Sequence, residues 1–397
     1  MNDLALLFGA RSLRMFAYGL LAVVLALHLH SLGFSDTSIG ILFALTMAGD
    51  TLVSLFLTTR ADAFGRKETL WIGAALMVAS SIVFAISGQF WVLVVAATLG
   101  VISPSGNEIG PFLPVEQAAL SEELEPEKRV GVFAQYNLAG YVAVALGSAG
   151  GGLISKTLQS YNWDATSSYR VVIMIHGAIG VAMLVLYAFL SSRAETTSPK
   201  TTAGFLGLTK SKKIVLQLSG LFAIDAFAGG FVMQSLIAYW FHLRWGANEL
   251  QLGMILLFGN LFAGASALMA ARIAKRFGLV NTMVWSHIPS NVLLILVPFM
   301  PTFGLAIAVM LLRFCLSQMD VPTRQAYVIS VVTPQERSAA GGVTNVARSI
   351  GVASSPLLLG TMMANPRLGL PLILAGSLKI VYDLALLALC RRSKFEG

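Results

Sequence analysis

Long apolar runs separated by short polar tracts recur along the whole chain. A helix that crosses a bilayer needs about 20 predominantly apolar residues. Twelve windows meet that requirement, at approximately 11–32, 37–59, 69–87, 90–113, 130–155, 170–191, 214–241, 249–271, 280–298, 303–322, 338–363 and 369–390. The pattern predicts an all-α integral membrane protein with twelve spans. Eleven more spans follow the first, so the first reads as a signal anchor rather than a cleaved leader.

The polar tracts alternate in charge. With both termini in the cytoplasm, 20 of the 27 Lys and Arg residues fall on that side. Four (Lys156, Arg170, Arg244 and Arg367) fall on the other, and Arg313, Arg348 and Lys379 lie within spans. The positive-inside rule then fixes the expected orientation: a multi-pass protein of the cell membrane, plasma or inner, with both termini cytoplasmic. The longest polar stretch, 191–213, is rich in Ser, Thr and Lys and divides the chain at its middle. It predicts an N-terminal six-helix half at 1–191, a cytoplasmic linker at 192–213 and a C-terminal six-helix half at 214–397.

Composition narrows the functional classes. Of the 397 residues, 56% are hydrophobic and 12% charged, against about 25% charged in soluble proteins. The net charge of +8 raises the question of nucleic acid. The basic residues sit between apolar runs without interleaved aromatics, which excludes that partner and points to the lipid bilayer. Two cysteines, Cys315 and Cys390, make no disulfide framework. His28 and His30 lack nearby carboxylates or thiols, so no metal or other cofactor is expected.

The two halves repeat. A shift of 208 aligns Pro114-Val115-Glu116-Gln117-Ala118 with Pro322-Thr323-Arg324-Gln325-Ala326. The same shift matches Pro126 with Pro334, Arg129 with Arg337, Asn137 with Asn345 and Gly152 with Gly360. Parallel six-helix repeats are a transporter architecture, with the binding site expected near the bilayer midplane.

After span 2 the chain reads TTRADAFGRK, at Thr58–Lys67. This resembles the loop motif of the major facilitator superfamily, G-x-x-x-D-R-x-G-R-R/K, through Asp62, Gly65, Arg66 and Lys67. Thr58 and Ala63 depart from it. Gly147-Ser148-Ala149-Gly150-Gly151-Gly152 in span 5 resembles the superfamily's antiporter motif, G-P-x-x-G-G, with Ser148 replacing the proline. The resemblance is to the drug/proton antiporter-like members, although span 4 lacks their mid-helix arginine. It implies the twelve-helix fold, a monomer, and spans 1, 4, 7 and 10 around a central cavity. It also implies a conformational latch of Asp62, Gly65, Arg66 and Lys67, with Glu116 as the carboxylate for Arg66. Gly65 would permit the tight turn.

Ionisable residues inside a membrane are expensive and are functional candidates by default. Glu108 lies in Ser103-Pro104-Ser105-Gly106-Asn107-Glu108-Ile109-Gly110-Pro111, where two Pro and two Gly should loosen span 4. It is the first candidate for a proton or substrate site, with an ion pair to Arg14 as the structural alternative. Arg14 and Tyr18 share a face of span 1. Asp225 in span 7 and Arg313 in span 10 lie at similar depth and could pair, with Asp320 and Arg324 forming a cap below Arg313. Asp50 in span 2 and Arg348 in span 11 form a second expected pair. Lys379 and Asp383 are four apart on span 12 and read as an intrahelical pair.

No nucleotide-binding loop, HExxH, GxSxG or cysteine–histidine constellation occurs, so neither ATP-driven pumping nor an enzyme is expected. The reading is a secondary transporter of a small-molecule substrate by alternating access, with proton-coupled efflux as the expected mode. The alternative is an organic-anion symporter or uniporter, suggested by Arg14 and Arg313.

Overall fold

The computed structural model describes residues 3–106, 110–191, 211–333 and 336–393, with only the backbone described at 59–64, 121–123, 126–130, 338 and 391–393. Among the described residues, every regular element is helical. In order the helices are α1 (Asp3–Ser31), α2 (Asp36–Phe64), α3 (Arg66–Ile86), α4 (Phe90–Leu99), α5 (Phe112–Glu123), α6 (Pro126–Ser160), α7 (Ala165–Ala188) and α8 (Lys212–Gly230). There follow α9 (Gln234–Trp245), α10 (Glu249–Phe277), α11 (Leu279–Leu296), α12 (Phe303–Phe314), α13 (Asp320–Ser330), α14 (Arg337–Ser354), α15 (Leu359–Met363) and α16 (Leu370–Ser393).

Among the described residues, ten segments are long and apolar enough to cross a membrane, and α4 and α12 are shorter apolar helices. Those two stand where spans 4 and 10 were expected. Apolar side chains face outward along many helices: Leu52, Ile86 and Trp91 are 68%, 75% and 71% exposed. In water such a surface would be an aggregation liability; in a bilayer it is the lipid-facing band.

Spans 4 and 10 are interrupted at matching places. Helix α4 stops at Gly100, and the chain resumes as α5 at Phe112. Between them Gly106 and Gly110 take φ of +67° and +78°, which other residues rarely adopt. Helix α12 ends at Phe314 and α13 begins at Asp320. No glycine or proline lies in that gap. The cause is Pro322 in the first turn of α13. Its ring cannot donate to the carbonyl four residues back and clashes with it. Pro114 occupies the same place in α5, and Phe112 and Asp320 differ by the 208 of the internal repeat.

Freed backbone groups at depth need partners. The amide of Gly110 donates to Oδ1 of Asp50 at 2.7 Å. The carbonyl of Pro104 accepts from the Ser235 amide at 3.1 Å. At the other break the hydroxyl of Ser266 accepts from the Gln318 amide at 3.4 Å, and Ser290 donates to the Arg313 carbonyl at 3.3 Å. Span 7 is also divided, into α8 and α9, after Gly229-Gly230.

The helices form two compact units. Unit 1 comprises Met1–Thr201 and Met233–Leu257; unit 2 comprises Thr202–Val232 and Phe258–Gly397. Helix α9 and the start of α10 therefore pack with unit 1, although they follow the linker in sequence. In unit 1, α1 runs buried through the bundle against α6, α7 and α9. The core of unit 2 gathers Val215, Leu218, Phe222, Met283, Val284, Tyr382 and Leu386.

The glycines of α6 set its crossing with α1. A Cβ at Gly147 would run into the carbonyl of Phe16, and one at Gly151 would lie 2.6 Å from the carbonyl of Leu20. Both obstacles are backbone and cannot rotate away, so close helix approach is the role these glycines serve. Gly147→Val is expected to abolish folded protein in size-exclusion chromatography of the detergent extract. Gly131→Ala, with nothing within 4 Å, should leave the profile unchanged.

Candidate functional site

Two buried polar clusters stand out, one in each unit. In unit 1, Arg14 of α1 meets Glu116 of α5 in a bidentate pair, with Nη1–Oε1 and Nη2–Oε2 both 2.7 Å. Both side chains are fully buried. Tyr187 of α7 donates to Oε1 at 2.7 Å, and Tyr136 of α6 donates to Oε2. The guanidinium also lies 4.5 Å from the ring centroid of Phe112. Both oxygens of the carboxylate are thus held by an arginine and two phenols, the saturation a buried ion pair requires. The cluster ties four helices together and leaves Glu116 no free oxygen. The expected roles change accordingly. Glu116 is held by Arg14, not Arg66.

Of the loop motif, Gly65 and Lys67 have described roles in unit 1. Gly65 takes φ +105° at the turn between α2 and α3. Lys67 donates to the carbonyls of Ala188 at 2.7 Å and Leu190 at 3.2 Å. It caps the C-terminal end of α7, where a cation is favoured. Arg66 is buried. Glu108 and the side chain of Asp62 lie outside the described residues. Tyr18 is buried in the unit 1 core, its ring 6.2 Å from that of His176.

Asp50 serves the break in span 4 through the Gly110 amide and also accepts from Ser54 at 3.3 Å. Asp50→Ala would strip the Gly110 amide of this acceptor, at a cost of about 1–3 kcal/mol. Asp50→Asn keeps an acceptor oxygen. Thermal unfolding is expected to show a lower midpoint for the alanine variant than for the asparagine variant.

In unit 2 the centre is Asp225 on α8. Its Oδ1 accepts from Nζ of Lys379 on α16 at 2.6 Å. Its Oδ2 accepts from Arg348 of α14 at 2.9 Å and from Arg324 of α13 at 3.2 Å. Arg324 also pairs with Asp320, one turn earlier, at 2.8 Å. Four helices converge on one carboxylate. Arg348 is the partly open member, its side chain 30% exposed.

Several expected pairings are replaced. Asp225 does not meet Arg313; it meets Arg324, Arg348 and Lys379. Within unit 2, Arg348 lies on Asp225. Lys379 and Asp383 are not an isolated intrahelical pair. Lys379 reaches α8, and Asp383 lies 2.9 Å from Nδ1 of His287 on α11. Arg313 is 7% exposed, and its Nε has no hydrogen-bond partner.

The two clusters occupy matching helices of the repeat with inverted charge. The first helix of each half carries Arg14 or Asp225, and the fourth carries Glu116 or Arg324. Glu116 and Arg324 differ by 208 in number. The sequence signal for the second pair was therefore present in the reversed signs of the repeat. His287 carried no such signal. Among the described residues, no group of three or more His, Cys, Asp or Glu is placed to hold a metal ion.

Comparison with known proteins agrees with this architecture. The family model described as Major Facilitator Superfamily matches residues 7–387. An uncharacterized membrane protein of Saccharomyces cerevisiae is 28% identical, over 97% of this chain and 93% of its own. The quinolone resistance protein NorA of Staphylococcus aureus is 24% identical, over 87% of this chain and 85% of its own. The crystal structure of the nucleoside transporter NupG superposes with a TM-score of 0.77 at 15% identity, covering 98% of this chain and 99% of that one. The interrupted spans, the parallel repeat and a family match over nearly the whole length lead to one assignment: the chain belongs to the major facilitator superfamily, a transporter and not an enzyme.

Proposed function

We propose that this secondary transporter couples the movement of a small organic solute to protons, by alternating access and in the outward direction. The observation that carries the coupling is Asp225, a carboxylate buried within a span and faced by three cations from three helices. A network of this kind is costly to bury and marks ion pathways in membrane proteins. The outward, antiporter mode draws on the similarity to a quinolone resistance protein. The cell membrane is its proposed location, with cytoplasmic termini following from the distribution of Lys and Arg. It is proposed to work as a monomer. Glu108, Arg14 and Tyr18 remain proposed proton or substrate residues. A latch involving Asp62 and Arg66 belongs to the same proposal.

A second reading, organic-anion symport or uniport, is favoured by one observation. Arg313 is a buried guanidinium whose Nε is unpaired, and such a group suits a carboxylate or phosphate.

The experiment is transport into liposomes holding the purified protein, under an imposed pH gradient, with a quinolone and an anionic dye such as fluorescein as probes. Gradient-driven quinolone movement supports proton-coupled antiport. Fluorescein movement lost in Arg313→Gln supports the anion reading. Movement of either probe that ignores the gradient contradicts proton coupling.

A further inference from the structure

Unit 2 holds another buried carboxylate beside the Asp225 cluster. Asp383 on α16 is fully buried, with Oδ1 2.9 Å from Nδ1 of His287 and Oδ2 3.4 Å from Nδ2 of Asn291. The imidazole stands edge-on to Tyr382, with centroids 6.2 Å apart. Oδ1 of Asn291 is buried without a hydrogen-bond partner. Four residues before Asp383, on the same face of α16, lies Lys379, whose ammonium holds Asp225. That ammonium lies beside Gly229 of α8, where a Cβ would be 3.7 Å from Nζ.

The charges around the pair come from every side. Its own helix α16 contributes Lys379 and Tyr382, α8 contributes Asp225, and α13 contributes Asp320 and Arg324. Helix α12 carries Arg313, and Arg348 of α14 joins through Asp225. Helix α15 and the turn Val297–Phe299 bring no ionisable group. Asp225, Asp320 and Asp383 thus stand against Arg324, Arg348 and Lys379, with Arg313 as one further cation. His287 sits at the end of this charge chain.

We propose that the His287–Asp383 pair is a proton-binding site, linked to Asp225 through Lys379. The assignment rests on the proton-coupled reading above. With His287 neutral, the charge of Asp383 stands one helical turn from Lys379, whose ammonium is bonded to Asp225. When a proton enters, His287 becomes imidazolium and neutralises Asp383. Lys379 is then left to Asp225, and the hold on Arg348, the exposed member, weakens. The proton is the only species added or removed, and it resides on the ring or on the carboxyl oxygen. Low local dielectric makes each exchange of partner count.

The test uses the full-length protein in liposomes adsorbed to a solid-supported membrane and exposed to pH jumps with no solute present. Wild-type protein is expected to give a transient charge displacement with a defined midpoint pH. Asp383→Asn should lose it, and His287→Gln should move its midpoint by about one pH unit or more. A full transient with an unmoved midpoint in both variants overturns the assignment and leaves proton coupling to another group such as Glu108. No transient in the wild type overturns the assignment together with the coupling reading. If Asp383→Asn does not fold, His287→Gln decides alone: a folded variant with an unmoved midpoint overturns the proposal.

Discussion

Replacing Asp225 with asparagine is expected to be the most damaging single change in unit 2. Arg324, Arg348 and Lys379 would then surround a neutral amide. Breaking a buried ion pair from one side costs about 3–5 kcal/mol, because the remaining charge is left uncompensated. Here three charges lose their shared partner, although Arg324 keeps Asp320. Lys379 is the most exposed to this loss, since it is buried and its 2.6 Å bond is to Asp225. Asp225→Asn should lower the unfolding midpoint of the purified protein by many degrees or prevent its recovery. Combining it with Lys379→Met removes one stranded charge and should restore part of the loss. Additive destabilisation in the double variant would show that the two side chains act independently.

The corresponding change in unit 1 is Arg14→Met. It would leave Glu116 buried with Tyr136 and Tyr187 as its remaining donors, at a cost again of about 3–5 kcal/mol. The double variant Arg14→Met/Glu116→Leu replaces the ion pair with apolar volume. Such replacements are often neutral or stabilising, so its unfolding midpoint should return close to that of the wild type. If the pair is purely structural, the double variant should also keep transport. A folded but inactive double variant would give Arg14 or Glu116 a part in the transport cycle.

These two clusters show what was legible in the sequence. Apolar runs located the spans, because length and hydropathy are local properties. The break in span 4 was legible from Pro104, Gly106, Gly110 and Pro111. The break in span 10 was not sought, since 315–319 holds no breaker; the signal was Pro322, visible only through its alignment with Pro114. Depth in the membrane could be counted for Asp225 and Arg313, but depth is only one coordinate. Which way a helix is turned decides the partner, and α8 presents Asp225 to α13, α14 and α16. For the same reason Glu116, assigned to Arg66 by resemblance, turned out to close on Arg14. The His287–Asp383 pair depends on α11 lying against α16, a neighbourhood that no local pattern encodes.

The most direct measurement of proton coupling loads liposomes with a pH-sensitive dye, inserts the purified protein, and adds a transported quinolone outside with no gradient imposed. A change of internal pH should follow solute entry, with protons leaving as the solute comes in. Solute entry at an unchanged internal pH would contradict proton coupling.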